Sequence, residues 1–169
     1  MLKGKSCIVR AFETSDTDKF ENIRKGRVEE SPYLGLVVTH PFIQLSDFFK
    51  RTASKSYVVE EIHTKDIIAV LVTDFESQDD RVIALYLDIT NDNFADSAKE
   101  GLKIFVRHLL NERNFHRIYT HILDFQKDIE NTFGQLGFQK EATLKEHHFY
   151  HNSYQDRKST RLNSSHSSI

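Results

Sequence analysis

The sequence has little of what stabilises or anchors many specialised proteins. Cys7 is the only cysteine, so no disulfide can form within the chain and a CxxC-type zinc site is excluded. No apolar run is long enough to span a bilayer, and the first residues, MLKGKSCIVRAF, lack the hydrophobic stretch of a secretion signal. We therefore expect a protein of the reducing cytosol.

Neither sign of charge dominates. The chain carries 23 Lys and Arg against 25 Asp and Glu, for a net charge of −2 with its histidines neutral. This balance gives no reason to expect nucleic acid or an anionic membrane as a partner. With 169 residues, 38% of them hydrophobic, the chain can form one domain with a sizeable core.

The last fourteen residues, DRKSTRLNSSHSSI, differ from the rest of the chain. They contain five serines and no aromatic residue, and they show no sustained periodicity. The segment resembles translated adapter or vector sequence, and a natural polar terminus is the alternative. We expect a domain over residues 1–156 and a non-native or disordered tail over residues 157–169.

Hydrophobic periodicity predicts strands first and helices later. A strand over residues 6–13 precedes a helix capped by Thr14 or Ser15, and Ser46-Asp47 can cap a second helix. Three β-branched runs separated by short polar breaks then predict strands over residues 56–63, 67–75 and 81–90.

The second half of the chain alternates in type. A helix over residues 97–114 is predicted from an apolar stripe formed by Ala98, Leu102, Phe105, Val106 and Leu109. A strand over residues 117–125, a helix that stops at Gly137 and two further strands with a turn at His151-Asn152 follow. This order predicts an α/β (α+β) fold, with a mixed sheet and helices on both faces.

Short motifs in the right order carry a family resemblance. His116-Arg117-Ile118, Leu136-Gly137-Phe138 and Tyr154-Gln155-Asp156 resemble the C-terminal half of GNAT acetyltransferases, especially those that acetylate ribosomal-protein N-termini. Val9-Arg10 and Ser15-Asp16 resemble the start of the same family. The resemblance covers most of residues 4–156 and implies the GNAT acyl-CoA N-acyltransferase fold.

The resemblance also implies where acetyl-CoA would bind. In this family the cofactor lies where two neighbouring parallel strands splay, here residues 81–90 and 117–125. Backbone groups of Leu87 and Ile89 would pair with the pantetheine arm. The diphosphate would lie at the N-terminus of the next helix, where free N–H groups and the helix dipole favour an anion.

The loop before that helix departs from the family pattern Arg-Gly-x-Gly. This sequence has Asn93-Phe94-Ala95-Asp96-Ser97-Ala98 there. Asn93 replaces the basic residue, Phe94 places a bulky ring at one glycine position, and Asp96 places a carboxylate at the other. The alternative interpretation is that Asp96 or Asp92 simply caps the helix.

Two further positions depart from the family. Gln126 stands for a turn asparagine, and we expect its longer side chain to be less suited to a local backbone bond. Phe133 stands for a tyrosine that can protonate the departing CoA thiolate, and phenylalanine has no proton to give. At helical spacing Phe133 is otherwise an ordinary core residue.

A base must deprotonate the attacking amine. Asp88 is the first candidate because its strand would border the thioester, and Glu61 and Glu60 follow; a salt-bridged or solvated carboxylate is the alternative for each. No metal site is expected, since His147 and His148 lie on opposite faces of a strand and cannot converge easily with His151, His116 and His121. Cys7 is interpreted as a small core residue.

Three functional hypotheses result. The first is transfer of an acetyl or other acyl group from CoA to a primary amine by direct attack. The second is a binding or regulatory module that has lost catalysis and does not bind acetyl-CoA in the usual way. The third is an enzyme whose acyl donor lacks the CoA diphosphate. The acceptor is an amine-bearing small molecule or a protein N-terminus, and a homodimer is left open.

Overall fold

The computed structural model describes residues 1–19, 56–77, 79–90, 92–150 and 153–164. The helix predicted after Ser46-Asp47, most of the helix predicted after Thr14 and the turn at His151-Asn152 lie outside these residues. Within them, a 3₁₀ turn at Thr14–Asp16 stands where the first helix was expected to begin.

The described residues form one mixed sheet of eight strands. The strands are β1 (Leu2–Lys3), β2 (Cys7–Ala11), β3 (Ser56–Glu61), β4 (Ile67–Ser77), β5 (Val82–Ile89), β6 (Arg117–Leu123), β7 (Gln139–Tyr150) and β8 (Ser153–Asn163). Their order in the sheet is β1-β2-β3-β4-β5-β6-β8-β7. Neighbours β1 to β4 pair antiparallel, β5 and β6 pair parallel, and β8 pairs antiparallel with both β6 and β7. The predicted mixed α/β sheet is confirmed.

Two α-helices follow the strands that the periodicity predicts. Helix α1 spans Ala95–Asn111 and helix α2 spans Lys127–Gln135. Gly137, with φ of +88°, closes the end of α2 through its N–H to the carbonyl of Gly134, and the predicted stop is confirmed. No helix in the described part of the chain is long and apolar enough to span a membrane.

The structure divides into two compact units. Unit 1 comprises the described residues of 1–72 and 87–104, and its core includes Val9, Val58, Val59 and the unbroken buried run of residues 67–71. Residues 67–71 of β4 are apolar at every position, so this part of the strand must be covered on both faces, as its sequence predicts.

Unit 2 comprises the described residues of 73–86 and 105–169. Its core is formed by apolar residues of β5, α1, β6 and α2, among them Ile83, Phe105, Ile118, Ile122 and Phe133. The apolar stripe of α1 thus supplies buried residues in both units, which explains its regular spacing.

The domain end expected at Asp156 does not match the structure. Strand β8 continues through Arg157–Asn163, and each of these seven residues pairs with a residue of Arg117–Leu123. Lys158, Thr160 and Leu162 are 9, 5 and 1% exposed, so alternate residues point inward as in any half-buried strand. A disordered tail is therefore wrong for these residues, although their non-native origin stays a prediction.

Candidate functional site

The two strands expected to border the acyl donor are adjacent and parallel. Val82, Ile83 and Ala84 of β5 pair with Arg117, Ile118 and Tyr119 of β6. This register ends at Ala84, while β5 itself continues to Ile89. The parallel pair that the sequence predicted is thus confirmed, and its hydrogen-bonded part is short.

The end of β5 is fixed by Thr90. Its N–H donates to the carbonyl of Ile68 (2.9 Å), and its hydroxyl donates to the carbonyl of Ile67 (2.8 Å). A 3₁₀ turn over Asp92–Phe94 then leads directly into α1 at Ala95. Because both Thr90 bonds are to β4, the chain leaves the sheet at a defined point before the helix begins.

Helix α1 begins at Ala95 and not at residue 97 as predicted. Asn93 is exposed, Phe94, Ala95 and Ser97 are half-buried, and Ala98 is buried. Asp96 is the second helical residue, so the alternative that it is the cap residue itself is wrong.

The Asp96 side chain is fully exposed, and Lys99 Nζ lies 3.8 Å from its carboxylate. An acidic residue in the first turn of a helix is favoured by the helix dipole. Asp96 can therefore be explained by stabilisation of the helix terminus alone. Its negative charge lies at the same terminus to which an anion would be attracted.

Gln126 forms a local backbone bond for which its longer side chain was expected to be less suited. Its Oε1 accepts a hydrogen bond from the N–H of Leu123 (3.0 Å), while its own N–H donates to the carbonyl of Leu123 (2.9 Å). The prediction was wrong because the extra methylene lets the amide reach back across the turn. Gln126 thus closes the β6–α2 connection through the backbone of Leu123.

Phe133 is fully buried. Its ring packs against the ring of Phe138 in an edge-to-face arrangement, with centroids 4.9 Å apart and planes at 78°. The interpretation of Phe133 as a core residue is confirmed. The position offers no hydroxyl.

The candidate bases differ in what they contact. Glu61 caps the β3–β4 turn: its Oε2 accepts the N–H groups of Thr64 (2.6 Å) and His63 (2.8 Å). The bond from Thr64 is the first cause that holds the pKa of Glu61 below its usual range. Glu61 is thereby a turn residue with a weakened tendency to take up a proton.

Glu60 and Asp88 complete the set. Glu60 binds Arg10, whose Nη2 lies 2.9 Å from its carboxylate, so the salt-bridged alternative applies to Glu60. Asp88 is half-buried on β5 between Leu87, which is buried, and Ile89, which is half-buried. Asp88 remains the candidate base.

Cys7 is fully buried, and its thiol is not activated. Burial, followed by the negative charge of Glu100, raises the pKa of Cys7 to about 11, so the thiolate is scarce at neutral pH. Its interpretation as a core residue is confirmed. Among the described residues, no three His, Cys, Asp or Glu side chains come together as metal ligands would; His151 lies outside them.

Two anchors in unit 1 were missed by sequence reasoning. Arg10 binds Asp16 through two bonds of 2.7 and 2.9 Å, although only the order of these residues had been noted. Glu100 of α1 accepts the backbone N–H groups of Lys5 (2.7 Å) and Ser6 (3.0 Å). No spacing rule links residues so far apart in sequence, so no signal could have identified the Glu100 contact.

Comparison with known proteins gives matches in structure alone. No family model matches the sequence, and no curated protein matches it. A GNAT-family acetyltransferase from Bacillus anthracis superposes with a TM-score of 0.78 at 14% identity, covering 97% of this chain and 98% of that one. A chimera of the Vibrio cholerae spermidine N-acetyltransferase with hSSAT has a TM-score of 0.79 at 21% identity, with 95% and 97% covered.

A third solved structure, provisionally named a ribosomal-protein-serine acetyltransferase from Vibrio cholerae, has a TM-score of 0.72 at 11% identity, with 96% of each chain covered. All three likenesses extend over nearly the full length of both chains. At these identities they concern the fold.

Proposed function

We propose that this chain, which has the fold of the GNAT acetyltransferases, transfers an acetyl or other acyl group from CoA to a primary amine. The observation that carries the proposal is the parallel β5–β6 pair, whose register stops at Ala84 while β5 continues and leads through one short turn into α1. In a GNAT fold this is the framework for an acyl thioester.

The residues present can accommodate acetyl-CoA at some cost. Backbone groups of Leu87 and Ile89 would receive the pantetheine arm, and residues 93–98 would receive the diphosphate. The opposing charge of Asp96 is fully exposed and lies near Lys99, so solvent and salt screen it. We expect this carboxylate to weaken binding of the diphosphate only slightly. Phe94 adds a steric demand that a glycine would not make.

Asp88 would act as the base in direct attack. Bound acetyl-CoA supplies the acyl group as an activated thioester. As the amine nitrogen forms its bond to the acyl carbon, the Asp88 carboxylate would accept the proton that the nitrogen loses, directly or through one water molecule. The C–S bond of the thioester would break as the C–N bond forms. Because Phe133 carries no hydroxyl, the sulfur would leave as a thiolate that takes its proton from water.

The acceptor class is a primary amine, either a small molecule or a protein N-terminus. Since two of the structures compared above are named for spermidine N-acetylation and for a ribosomal protein, spermidine and an N-terminal peptide are the first acceptors to test. The proposal includes self-association of the chain, with a homodimer as the simplest form. One similar spermidine N-acetyltransferase forms a larger assembly, a dodecamer.

A binding module without catalysis is the second candidate. Three observations favour it: Phe94 and Asp96 stand where the family has glycines, and the buried Phe133 carries no hydroxyl. Such a module would not bind acetyl-CoA in the usual way, and its partner would be another protein.

Thermal unfolding in the presence of acetyl-CoA, CoA and acetyl-pantetheine distinguishes acyl transfer from the binding module. A ligand that binds only the folded protein raises its melting temperature. At a ligand concentration of 100 times Kd, the free energy of unfolding increases by about 2.7 kcal/mol. Acetyl-CoA and CoA should both produce a shift, and spermidine or a peptide should then yield acetylated product. Protection by acetyl-pantetheine but not by CoA would instead favour a donor without the diphosphate. No shift with any of the three would exclude acyl transfer and leave the binding module.

A further inference from the structure

We propose that Glu100 is a positioning residue that fixes the first turns of α1 for the diphosphate of the acyl donor. This inference rests on the proposed function, because it concerns the same cofactor. Glu100 would not touch the ligand. It would act by holding the helix whose free N–H groups form the anion site.

The carboxylate of Glu100 joins α1 to the turn between β1 and β2. Oε1 accepts the N–H of Lys5, and Oε2 accepts both the N–H and the hydroxyl of Ser6, at 2.7, 3.0 and 2.5 Å. These bonds lower the pKa of Glu100, the hydroxyl of Ser6 first, so the group stays charged and the bonds are charge-assisted. With the thiol of Cys7, which lies 3.9 Å from Oε2, one side chain thus accepts from four donors in a segment 93 to 95 residues away.

Two glycines allow the close approach that these bonds require. A Cβ on Gly4 would lie 2.7 Å from Ile104 Cδ1 and 2.9 Å from Glu100 Oε1. A Cβ on Gly101 would lie 2.5 Å from Cγ1 of Val59 on β3. The helix is therefore held on one side by hydrogen bonds to the β1–β2 turn and on another by direct packing against the sheet.

This anchor lies two residues beyond residues 93–98, which would bind the diphosphate. Asp96 is the second residue of α1 and Glu100 is four residues further on, so both are on the same face of the helix. The affinity of preorganised N–H groups for an anion depends on their direction, and loss of supporting contacts weakens such sites. We therefore infer a role for Glu100 in cofactor affinity that exceeds its role in stability.

The replacement Glu100→Gln separates positioning from charge. It keeps the shape, removes one acceptor and places an amide NH₂ against backbone donors. If Glu100 acted only through its charge, removing that charge near an anion would tighten CoA binding. If it positions the helix, the same change weakens binding by about ten-fold, the lower end of what lost outer-shell support costs at metal sites.

The experiment compares the dissociation constants of CoA and acetyl-pantetheine for the wild type and E100Q, by titration calorimetry. The positioning role predicts that E100Q raises the dissociation constant of CoA. The dissociation constant of acetyl-pantetheine, which lacks the diphosphate, should stay within about two-fold of the wild-type value. Asp16→Asn is the matched control, since it breaks a different carboxylate anchor of unit 1, whose hydrogen bonds are to Arg10 and Glu13 and not to α1. It should change neither constant. Equal weakening of both ligands, or tighter CoA binding, would overturn the proposal.

Amide hydrogen exchange without ligand keeps the two proposals distinguishable. E100Q should raise the exchange rates of the amides of residues 99–102 above those in D16N at equal global stability. If the wild-type protein binds no CoA, the proposed function fails. Faster exchange in E100Q would then still show that Glu100 holds the first turns of α1 in place. Unchanged exchange in residues 99–102 would overturn the positioning role whatever the wild type binds.

Discussion

The rings of Phe133 and Phe138 pack at a centroid distance of 4.9 Å with their planes at 78°, inside unit 2. Phe133 is fully buried, so its position belongs to the core of this unit.

Phe133→Tyr should destabilise the protein. The added hydroxyl would be buried without a partner, which costs about 1–3 kcal/mol. Phe125→Tyr is the control, because Phe125 is 40% exposed and its new hydroxyl would reach water. Denaturant unfolding of both variants measures the difference. A Phe133→Tyr variant as stable as the wild type and faster in turnover would mean that the position opens onto the leaving thiolate.

Asp96→Gly should tighten CoA binding by about two- to five-fold, since it removes a negative charge from the helix terminus at which the diphosphate would bind. Asp128→Gly is a matched control: Asp128 is likewise the exposed second residue of a helix, α2. Both changes cost helix stability by about the same amount. Calorimetric titration checks the difference, and weaker binding by Asp96→Gly would show that the diphosphate does not approach this turn.

Asp88→Asn should lower kcat by about 100-fold or more, the range of a lost general base. Glu61→Gln should leave kcat and its pH profile unchanged and reduce stability, because Glu61 caps the turn at His63 and Thr64. The kcat–pH profile of each variant against the wild type is the measurement. An effect of Glu61→Gln on the profile with none from Asp88→Asn would reverse the two assignments.

Asp16→Asn should cost about 3 kcal/mol, because it removes the charge of a buried carboxylate and leaves the half-buried Arg10 with Glu60 as its charged partner. Burial raises the pKa of Asp16, but the bonds from Arg10 and from the N–H of Glu13 outweigh it and the pKa is lowered. A lowered folded-state pKa contributes stability above the unfolded value and loses it as the pH falls through the folded one.

The wild type should therefore lose stability below about pH 4, and D16N should lose less over that range. Denaturant midpoints from pH 7 to pH 2 measure this slope. Glu61 and Glu100, whose pKa values are also lowered, supply a remaining slope in both proteins. Identical slopes in wild type and D16N would contradict the assignment to Asp16.

A chain that ends at Asp156 should unfold at a much lower temperature or fail to fold. It would lose all seven residues of β8 that pair with β6, along with the buried Leu162. A chain that ends at Ser164 keeps every one of these pairs and is the control. A shortened chain with an unchanged melting temperature would restore the domain end at Asp156 and support a non-native origin for the residues beyond it.

The sequence predicted those elements whose burial is visible in residue type. The apolar runs of β4 and β5 and the stripe of α1 are examples, and only the ends of these elements moved. Strand β8 was missed past Asp156 because its inward positions include Lys158, and burial of a lysine depends on a partner. Its partners are Glu130, at 2.8 and 3.1 Å from Nζ, and Asp124, at 3.1 Å, and no local pattern reveals them.

The site was predictable only in part, for the same reason. Which strands would be parallel neighbours followed from element order and family resemblance. The reach of Gln126 back to Leu123 and the turn role of Glu61 depend on backbone geometry in two tight turns, including Lys65 with φ of +63°. Residue identity alone does not specify that geometry.

The contact between Gly101 and Val59 has a consequence for how this sequence can vary. A methyl group at residue 101 would overlap Cγ1 of Val59, so Gly101→Ala alone must push the helix off the strand. Removal of two methyl groups by Val59→Ala would vacate that volume. The two positions are therefore expected to co-vary among relatives, with a small residue always present at one of them.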